Sequence, residues 1–593
     1  MHMNKDKVFG LMLLALMLAV SSAFAATPSS GTLTAPAAGQ TTSVSFSGGP
    51  FTGATATPAA CTSLTCDTFT LTVNVPSTFY SANPTYAVHV KINWASNTND
   101  FDLNVNDASG NTVCSSGQGQ TNFEDADCGQ LASGTYTVQV VGFTVVNATY
   151  SGAATVAPEP ALATGNARYK KSNLTFSAPM ELQRPIDLLN NGGTGISADQ
   201  DVEPRIVHDV LGNYYVAAIQ GVPGGIDVWK SSDGGNSFNY LGQPDGVQIG
   251  AALGADGVGL GGGDEDLAVS PSGVVYASSL WLGSATQSTS FTGGTTWVSN
   301  PLSSDLPLVD RQWIAPHGNS ELYLTTKQLG ADTDGTVTLF VAKSFDNGLT
   351  WPQVVPVTTP EVGVQPGDQG NILVDQNNGN VYTVFIDQHD NIVWLARSSD
   401  GGKTWIVKQV FAAPTGTNLA NIFPIVAVDS ASNVYVVFCN GTNVFLTAST
   451  DQGGTWTTPV RVNNGAGSKT AMGPWVTAGG PGQVNIAFWG TSDSNANSTT
   501  AQWQVFNAQS RNATSAIPTI TQVAATPVMH VGPICNQGLA CASGTRNLAE
   551  YFAPDIGLNG EALIVYPDDK NTSSSTGAAR TFFVKQTGGS TLQ

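Results

Sequence analysis

The chain has 593 residues, more than one compact domain normally holds, so two or more domains are expected. Only 11 % of residues are charged, 65 are glycine, and the formal net charge is −20. That composition fits a turn-rich all-β protein and argues against a nucleic-acid partner bound through a general basic footprint.

In chain order, residues 1–25 read as a signal peptide. Lys5 and Lys7 supply the positive start, Val8 to Val20 is apolar, and Ala23-Phe24-Ala25 has the small-residue cleavage pattern. No second stretch is apolar enough to span a membrane. A secreted or cell-surface protein without a transmembrane segment after cleavage is therefore expected. Residues 26–60, rich in Thr, Ser, Ala, Gly and Pro, read as a low-complexity lead-in. From Phe69 the pattern alternates with period two, as in Tyr86-Ala-Val-His-Val-Lys-Ile-Asn-Trp94 and Thr135-Tyr-Thr-Val-Gln-Val-Val141. Half-buried strands of this kind predict a β-sandwich accessory domain over 61–151. A linker is expected at 152–173 and a larger β domain at 174–588.

Six of the seven cysteines fall into close pairs, Cys61 with Cys66, Cys114 with Cys128 and Cys535 with Cys541, which an oxidising compartment would close. Cys439, inside an apolar run, reads as a buried thiol. Asp100 and Asp102, with Asp125 and Asp127, offer oxygen ligands in dense clusters that calcium would suit; solvated loop carboxylates are the alternative. No other cofactor is called for.

The second half carries five copies of one short pattern. They are Ser231-Ser-Asp-Gly-Gly-Asn-Ser-Phe238, Ser290-Phe-Thr-Gly-Gly-Thr-Thr-Trp297, Ser344-Phe-Asp-Asn-Gly-Leu-Thr-Trp351, Ser398-Ser-Asp-Gly-Gly-Lys-Thr-Trp405 and Ser449-Thr-Asp-Gln-Gly-Gly-Thr-Trp456. The starts lie 59, 54, 54 and 51 residues apart, a period that signals a β-propeller. Seven copies of a second pattern, beginning at Glu203, Glu265, Arg311, Gln369, Phe423, Gly473 and Ala553, mark the first strand of each blade, so six or seven blades are expected. The segment from Leu174 to Leu182 resembles a fourth strand without its first three, and would close the ring.

The five-fold pattern resembles the Asp-box (BNR) repeat of the sialidase superfamily. Asn99-Asp-Phe-Asp-Leu-Asn-Val105 with Gly134-Thr-Tyr-Thr-Val138 resembles the bacterial pre-peptidase C-terminal domain, a jelly-roll-like module of secreted hydrolases. The first resemblance implies an exo-α-sialidase-type glycoside hydrolase acting on glycans or glycoproteins. It implies a carboxylate clamp made of Arg205, Arg311 and Arg546, with Glu265 beside it. It also implies a nucleophile, Tyr551, activated by Glu550 or Glu265, and an acid/base at Asp264 or Asp266. Arg205 stands in a partial motif, lacking the preceding aromatic and carrying Val207 for Pro.

Two other readings stay open. The arginines would equally form inner-ring salt bridges with neighbouring acids, leaving a non-catalytic glycan- or protein-binding propeller; a glycosidase using two aspartates is the third. Trp281 and Trp489 would stack on sugars or pack internally. The repeat turns themselves read as scaffold, since they sit on the face opposite the starts of the first strands. No P-loop, HExxH, or G-x-S-x-G with a partner is present, which excludes nucleotide, zinc-protease and serine-hydrolase chemistry.

Overall fold

The computed structural model describes residues 26–592 except 38, 56–60, 84, 97, 118–121, 159–161, 184–200, 222–224, 250–260, 282–283, 301–308, 329–337, 360–363, 389, 415–416, 536–540, 542–545 and 571–578. The signal-peptide reading lies outside the described residues. The chain divides into two compact units, Met1–Glu159 and Pro160–Gln593. Among the described residues no helix is long and apolar enough to cross a membrane.

The first unit is organised by one 25-residue strand, Gly134–Pro158. Its first part lies between Cys66–Asn74 and Asp100–Asn106; its second part lies between Thr42–Ala54 and Tyr86–Trp94. Ser30–Thr34 adds in parallel to Cys66–Asn74, Thr112–Ser116 to Asp100–Asn106, and Phe123–Asp127 to Tyr86–Trp94. Alternate apolar side chains from both halves share one core. Phe46 stacks on Phe69 across it at 4.6 Å, and Phe101 meets Trp94 at 5.1 Å.

Two boundary expectations change. Ser30–Thr34 and Thr42–Ala54 are strands of this unit, not lead-in, and 152–158 completes its longest strand instead of opening a linker. Both segments look featureless in sequence for a physical reason. Thr42–Ala54 buries only Phe46 and Phe51. Gly152 faces the Phe46 ring, which a Cβ there would approach to 2.5 Å.

The second unit is a seven-bladed propeller. Blade I comprises Val202–His208, Tyr214–Gly221, Gly225–Ser231 and Asn239–Gly242, and blade II Glu265–Val269, Val275–Trp281, Ser284–Ser290 and Val298–Asn300. Blades III, IV and V begin at Val309–His317, Pro366–Val374 and Ile425–Val428 and repeat the same antiparallel order. Blade VI comprises Thr470–Ala478, Val484–Thr491, Gln502–Ser510 and Thr519–Ala524, with Arg168–Lys171 added in parallel as an outer strand. Blade VII takes Asp555–Ile556, Ala562–Asp568 and Arg580–Gly588 from the C-terminal end. Its outer strands, Thr175–Phe176 and Met180–Glu181, come from before blade I and pair antiparallel with Arg580–Gly588. That exchange removes an open edge and closes the ring.

The five repeats all join third to fourth strands. In the first, Ser231 Oγ donates to Asp233 Oδ1 at 2.8 Å and accepts from Gly235 N at 2.9 Å. Asp233 accepts from Asn236 N, Ser237 N and Ser237 Oγ. Asp346, Asp400 and Asp451 repeat this, and in blade II Thr292 Oγ1 accepts from Thr296 N instead. The fourth and fifth residues of each turn take positive φ, for example 71° and 83° at Gly234 and Gly235, which is why glycine recurs there. Blade VI holds a sixth, degenerate turn in which Asn512 Oδ1 accepts from Thr519 N at 2.8 Å. Its Asn, and its lack of Gly and Trp, hid it from sequence reading.

Candidate functional site

The starts of the first strands form one mouth of the ring, and four of those strands are bulged there: Pro366–Val374 of blade IV, around Gln369, and three whose bulge holds a left-handed residue. In these three, register shifts fall between Val202 and Arg205, Asp310 and Trp313, and Met472 and Trp475. The left-handed residues are Glu203 at φ 53°, Arg311 at 56° and Gly473 at 61°. In blade VI glycine is needed, since a Cβ would lie 2.7 Å from the Trp489 ring. In blades I and III the strained position is given to a glutamate and an arginine. Bulges of this kind re-aim side chains, and left-handed non-glycine residues cluster at functional sites.

The three arginines do not converge on an open spot. Arg311 Nη2 and Arg546 Nη2 hold the two oxygens of Glu550, the second at 2.6 Å. Arg311 Nη1 also lies 3.8 Å from Asp264 Oδ1, and its guanidinium sits over Phe423. Arg205 turns away to Asp266 and stacks over Trp475. Asp266 is fully buried, and its other bonds go to Leu267 N at 2.9 Å and Ile314 N at 2.7 Å. It ties blades I, II and III together, and both oxygens are used. The clamp expected of Arg205, Arg311 and Arg546 is therefore replaced by internal ion pairs.

Tyr551 is 2 % exposed and packs among Trp313, Phe423 and Trp475, with ring centroids 5.0, 5.8 and 5.7 Å away. Its hydroxyl donates to the Glu265 carbonyl oxygen at 2.6 Å. Burial, with the Glu265 and Glu203 carboxyls, pushes the phenol well above its ordinary value. A nucleophile needs a nearby base to take its proton and an open path to substrate. Tyr551 lacks the open path, and its hydroxyl proton is bonded to the Glu265 carbonyl: Glu550 is engaged by the arginines, and the nearby Glu265 carboxyl raises the phenol without accepting its hydrogen bond. Trp489 is fully buried against Phe552 at 5.3 Å, so it is core and not a sugar platform. Trp281 closes the second strand of blade II; its side chain lies outside the described residues.

The carboxyls around the mouth separate by protonation. Burial, then the neighbouring Asp264, pushes fully buried Glu203 up; its Oε1 accepts from Glu550 N at 3.0 Å. Burial raises Asp264 as well, against the opposing pull of Arg311. Burial would raise Asp310 too, but Arg311 and Lys327 outweigh it and hold that carboxyl low. Glu265 is buried with both oxygens free of hydrogen bonds, and burial followed by Asp266 drives it well above the usual range. Asp266 is pushed up to about 6 by burial.

More open at the rim are Arg546 and Asp368, with side chains 36 % and 41 % exposed; Lys327, 3.7 Å from Asp368, is no more open than Arg311. Gln312, which sequence reading passed over, donates from Nε2 to the Asp264 carbonyl at 2.8 Å and fixes the blade II–III step. Its only sequence signal was adjacency to Arg311.

In the first unit Asp100 and Asp102 stand two apart on one strand. Burial raises Asp100 to about 6; burial and Asp100 raise Asp102 to about 7. Asp125 is drawn instead to His89 and Lys91, 3.4 and 3.1 Å away, and Asp127 also faces His89. Among the described residues no three acidic, His or Cys side chains group as a metal site. The pairs Cys61–Cys66, Cys114–Cys128 and Cys535–Cys541 are disulfides. Cys439 is a buried thiol pushed up to about 12 by burial.

No family model matches the chain, and no curated protein matches it. Among solved structures it is similar to a Penicillium chrysogenum α-L-arabinanase, at 14 % identity over 56 % of this chain and 97 % of that one, TM-score 0.35. A Fusarium graminearum GH93 α-L-arabinofuranosidase gives 14 % identity over 69 % and 97 %, TM-score 0.37. A leech intramolecular trans-sialidase gives 12 % over 85 % and 94 %, TM-score 0.36. These are glycan-processing propellers; likenesses this distant add nothing to the site geometry.

Proposed function

We propose that this is an exported, non-catalytic glycan-binding propeller that meets sugar at the mouth lined by Asp264, Asp310, Arg311, Lys327, Asp368 and Arg546. One observation carries the choice over a sialidase-type enzyme. Glu550 occupies both arginines that would clamp a substrate carboxylate, while Arg205 and Tyr551 are committed to Asp266 and to the Glu265 carbonyl. The rim still alternates cationic donors with carboxylate acceptors, the polar lining that a polyhydroxylated ligand needs for orientation. The closed disulfides support an oxidising destination, and the box-like turns support the sialidase-superfamily resemblance.

A second reading has its own observation. Asp264 held up and Asp310 held down beside Arg311 is the division of proton affinity that glycoside hydrolysis uses. Asp264 would protonate the leaving oxygen as the glycosidic C–O bond breaks and, once ionised, take the proton of the water that completes hydrolysis, while Asp310, hydrogen-bonded to Asp264, would hold that proton in place.

Binding to a panel of neutral and acidic glycans, with sugar release measured in parallel, tests both. We expect binding without release, weakened by Arg546→Ala and by Asp368→Ala. Release lost in Asp264→Asn and Asp310→Asn but kept in Tyr551→Phe would replace the first reading with the second. Release lost in Tyr551→Phe would overturn both, and no binding to any glycan would overturn the first.

A further inference from the structure

Charge in this chain is unevenly placed. Residues 160–180 and 452–549 hold seven of the 22 Lys and Arg, yet only one of the 42 Asp and Glu, Asp493. These segments lie far apart in sequence, and the fold joins them at one place. Arg168–Lys171 pairs in parallel with Thr519–Ala524 as the outermost strand of blade VI, and all four of its residues are exposed.

Two further cations lie on segments hydrogen-bonded to the partner strand near its two ends, and one of them, Arg511, donates from Nη1 to the Thr591 carbonyl at 2.5 Å. Thr519, opposite Arg168, donates to Asn512, the residue after exposed Arg511. Gln522, opposite Lys171, donates to Ser468 Oγ at 2.7 Å, the residue before exposed Lys469. Tyr169 hydroxyl donates to the Arg461 carbonyl at 2.7 Å, which pins its ring while leaving it 44 % exposed. None of Arg168, Lys170, Lys171, Arg461, Lys469 and Arg511 forms an ion pair among the described residues.

We propose that this outer flank of blade VI binds a linear acidic polysaccharide bearing carboxylate or sulfate groups. Four residues of strand span roughly 13 Å, with Arg168 and Lys170 on one side and Tyr169 and Lys171 on the other, so a chain lying along the open edge of the strand meets both sets. Beyond this edge the protein is strongly acidic. With a screening length of about 8 Å, a thin chain lying along the strand feels these cations alone. A nucleic-acid duplex or an anionic membrane face is broad enough to meet the acidic surroundings and is repelled. The pinned Tyr169 ring offers an apolar face to a sugar ring. The flank is separate from the mouth, so it adds a second point of attachment on the same polymer or on another one.

The test is affinity electrophoresis of the full chain in gels containing polygalacturonate, dextran sulfate or uncharged dextran, at about 50 mM salt and again at about 200 mM. Retardation is expected in the two acidic polymers only, and it should weaken steeply with salt. Arg168→Gln/Lys170→Gln/Lys171→Gln should weaken it by at least about tenfold, with the slope of log affinity against log salt falling by about two to three. Arg511→Gln and Lys469→Gln, on other segments, should each weaken it several-fold, whereas Lys408→Gln, an exposed cation on the outer strand of blade IV, should leave it intact.

Edge-strand lysines also guard sheets against pairing edge to edge. If the triple variant only aggregates and the wild type shows no retardation, the cations serve that purpose and the proposal falls. Retardation unchanged by Arg511→Gln and Lys469→Gln, or matched by duplex DNA or phosphatidylglycerol vesicles, also overturns it.

Discussion

Replacing Asp102 by Asn should stabilise the first unit above neutral pH and leave it unchanged in acid. Asp102 sits on Asp100–Asn106, where burial and Asp100 raise it from 3.8 to about 7. In the unfolded chain the same group titrates near the ordinary value of about 3.9. Below about pH 4 both states carry the proton, and the stabilisation that this group lends the fold is fully present. Between there and about 7 the unfolded state has lost a proton that the fold keeps, so stability falls by about 1.4 kcal/mol per pH unit. Over roughly three units the ceiling is about 4 kcal/mol; partial exposure and the shared titration with Asp100 bring it to about 2 kcal/mol.

Asparagine copies the protonated shape without ionising. Asp102→Asn should therefore exceed the wild type by about 2 kcal/mol at pH 8 and match it at pH 4. Hydrogen exchange of peptides covering 86–106 in the full chain, at both pH values and in urea, reads this locally. A variant that loses stability equally at pH 4 and pH 8 would refute the reasoning, because the carboxylate would then be charged and partnered. Calcium provides a further arm. If Asp100 and Asp102 hold the cation, millimolar calcium at pH 8 stabilises the wild type, chelation reverses that, and Asp102→Asn does not respond.

Asp266→Asn breaks a buried pair that joins three blades and leaves Arg205 uncompensated. It should cost about 3–5 kcal/mol, seen as a lower urea midpoint for the propeller. Trp489→Ala should cost about 3–5 kcal/mol by opening a core cavity, and glycan affinity of the folded fraction should stay unchanged. Glu550→Gln removes the carboxylate that occupies Arg311 and Arg546, so calorimetric affinity for a carboxylate-bearing sugar should rise, about tenfold if roughly 1.4 kcal/mol of competition is relieved. Opening Cys114–Cys128, which closes a 14-residue separation, should destabilise the first unit by about 3 kcal/mol and leave exchange from the propeller unchanged.

Local chemistry made much of the fold legible. Turn glycines, Ser–Asp capping and the alternation of first strands are properties of five to ten neighbouring residues, and they repeat. Seven blade starts, the five turns, the closing strand near Leu174 and three disulfides could be read from such patterns. Segments whose side chains face solvent, or stay small beneath a neighbour, left no such trace. Thr42–Ala54 shows only two apolar anchors, and Arg168–Lys171 resembled linker because its partner strand lies some 350 residues away.

The mouth was legible as an inventory of groups and not as an arrangement. Sequence placed Arg205, Arg311, Arg546, Glu550, Tyr551 and the Asp264–Asp266 run near the same rim, because each begins or precedes a first strand. It had no means of pairing them. Arg311 meets Glu550 across 239 residues and Arg205 meets Asp266 across 61. Which charge neutralises which depends on bulges, blade-to-blade rotation and depth of burial, and these exist only once the ring has closed. Sequence by itself determined the strands, their repeat and the chemical groups at the rim. Tertiary structure alone decided that the arginines are occupied and the tyrosine buried, because electrostatic pairing acts through distance in space and not along the chain.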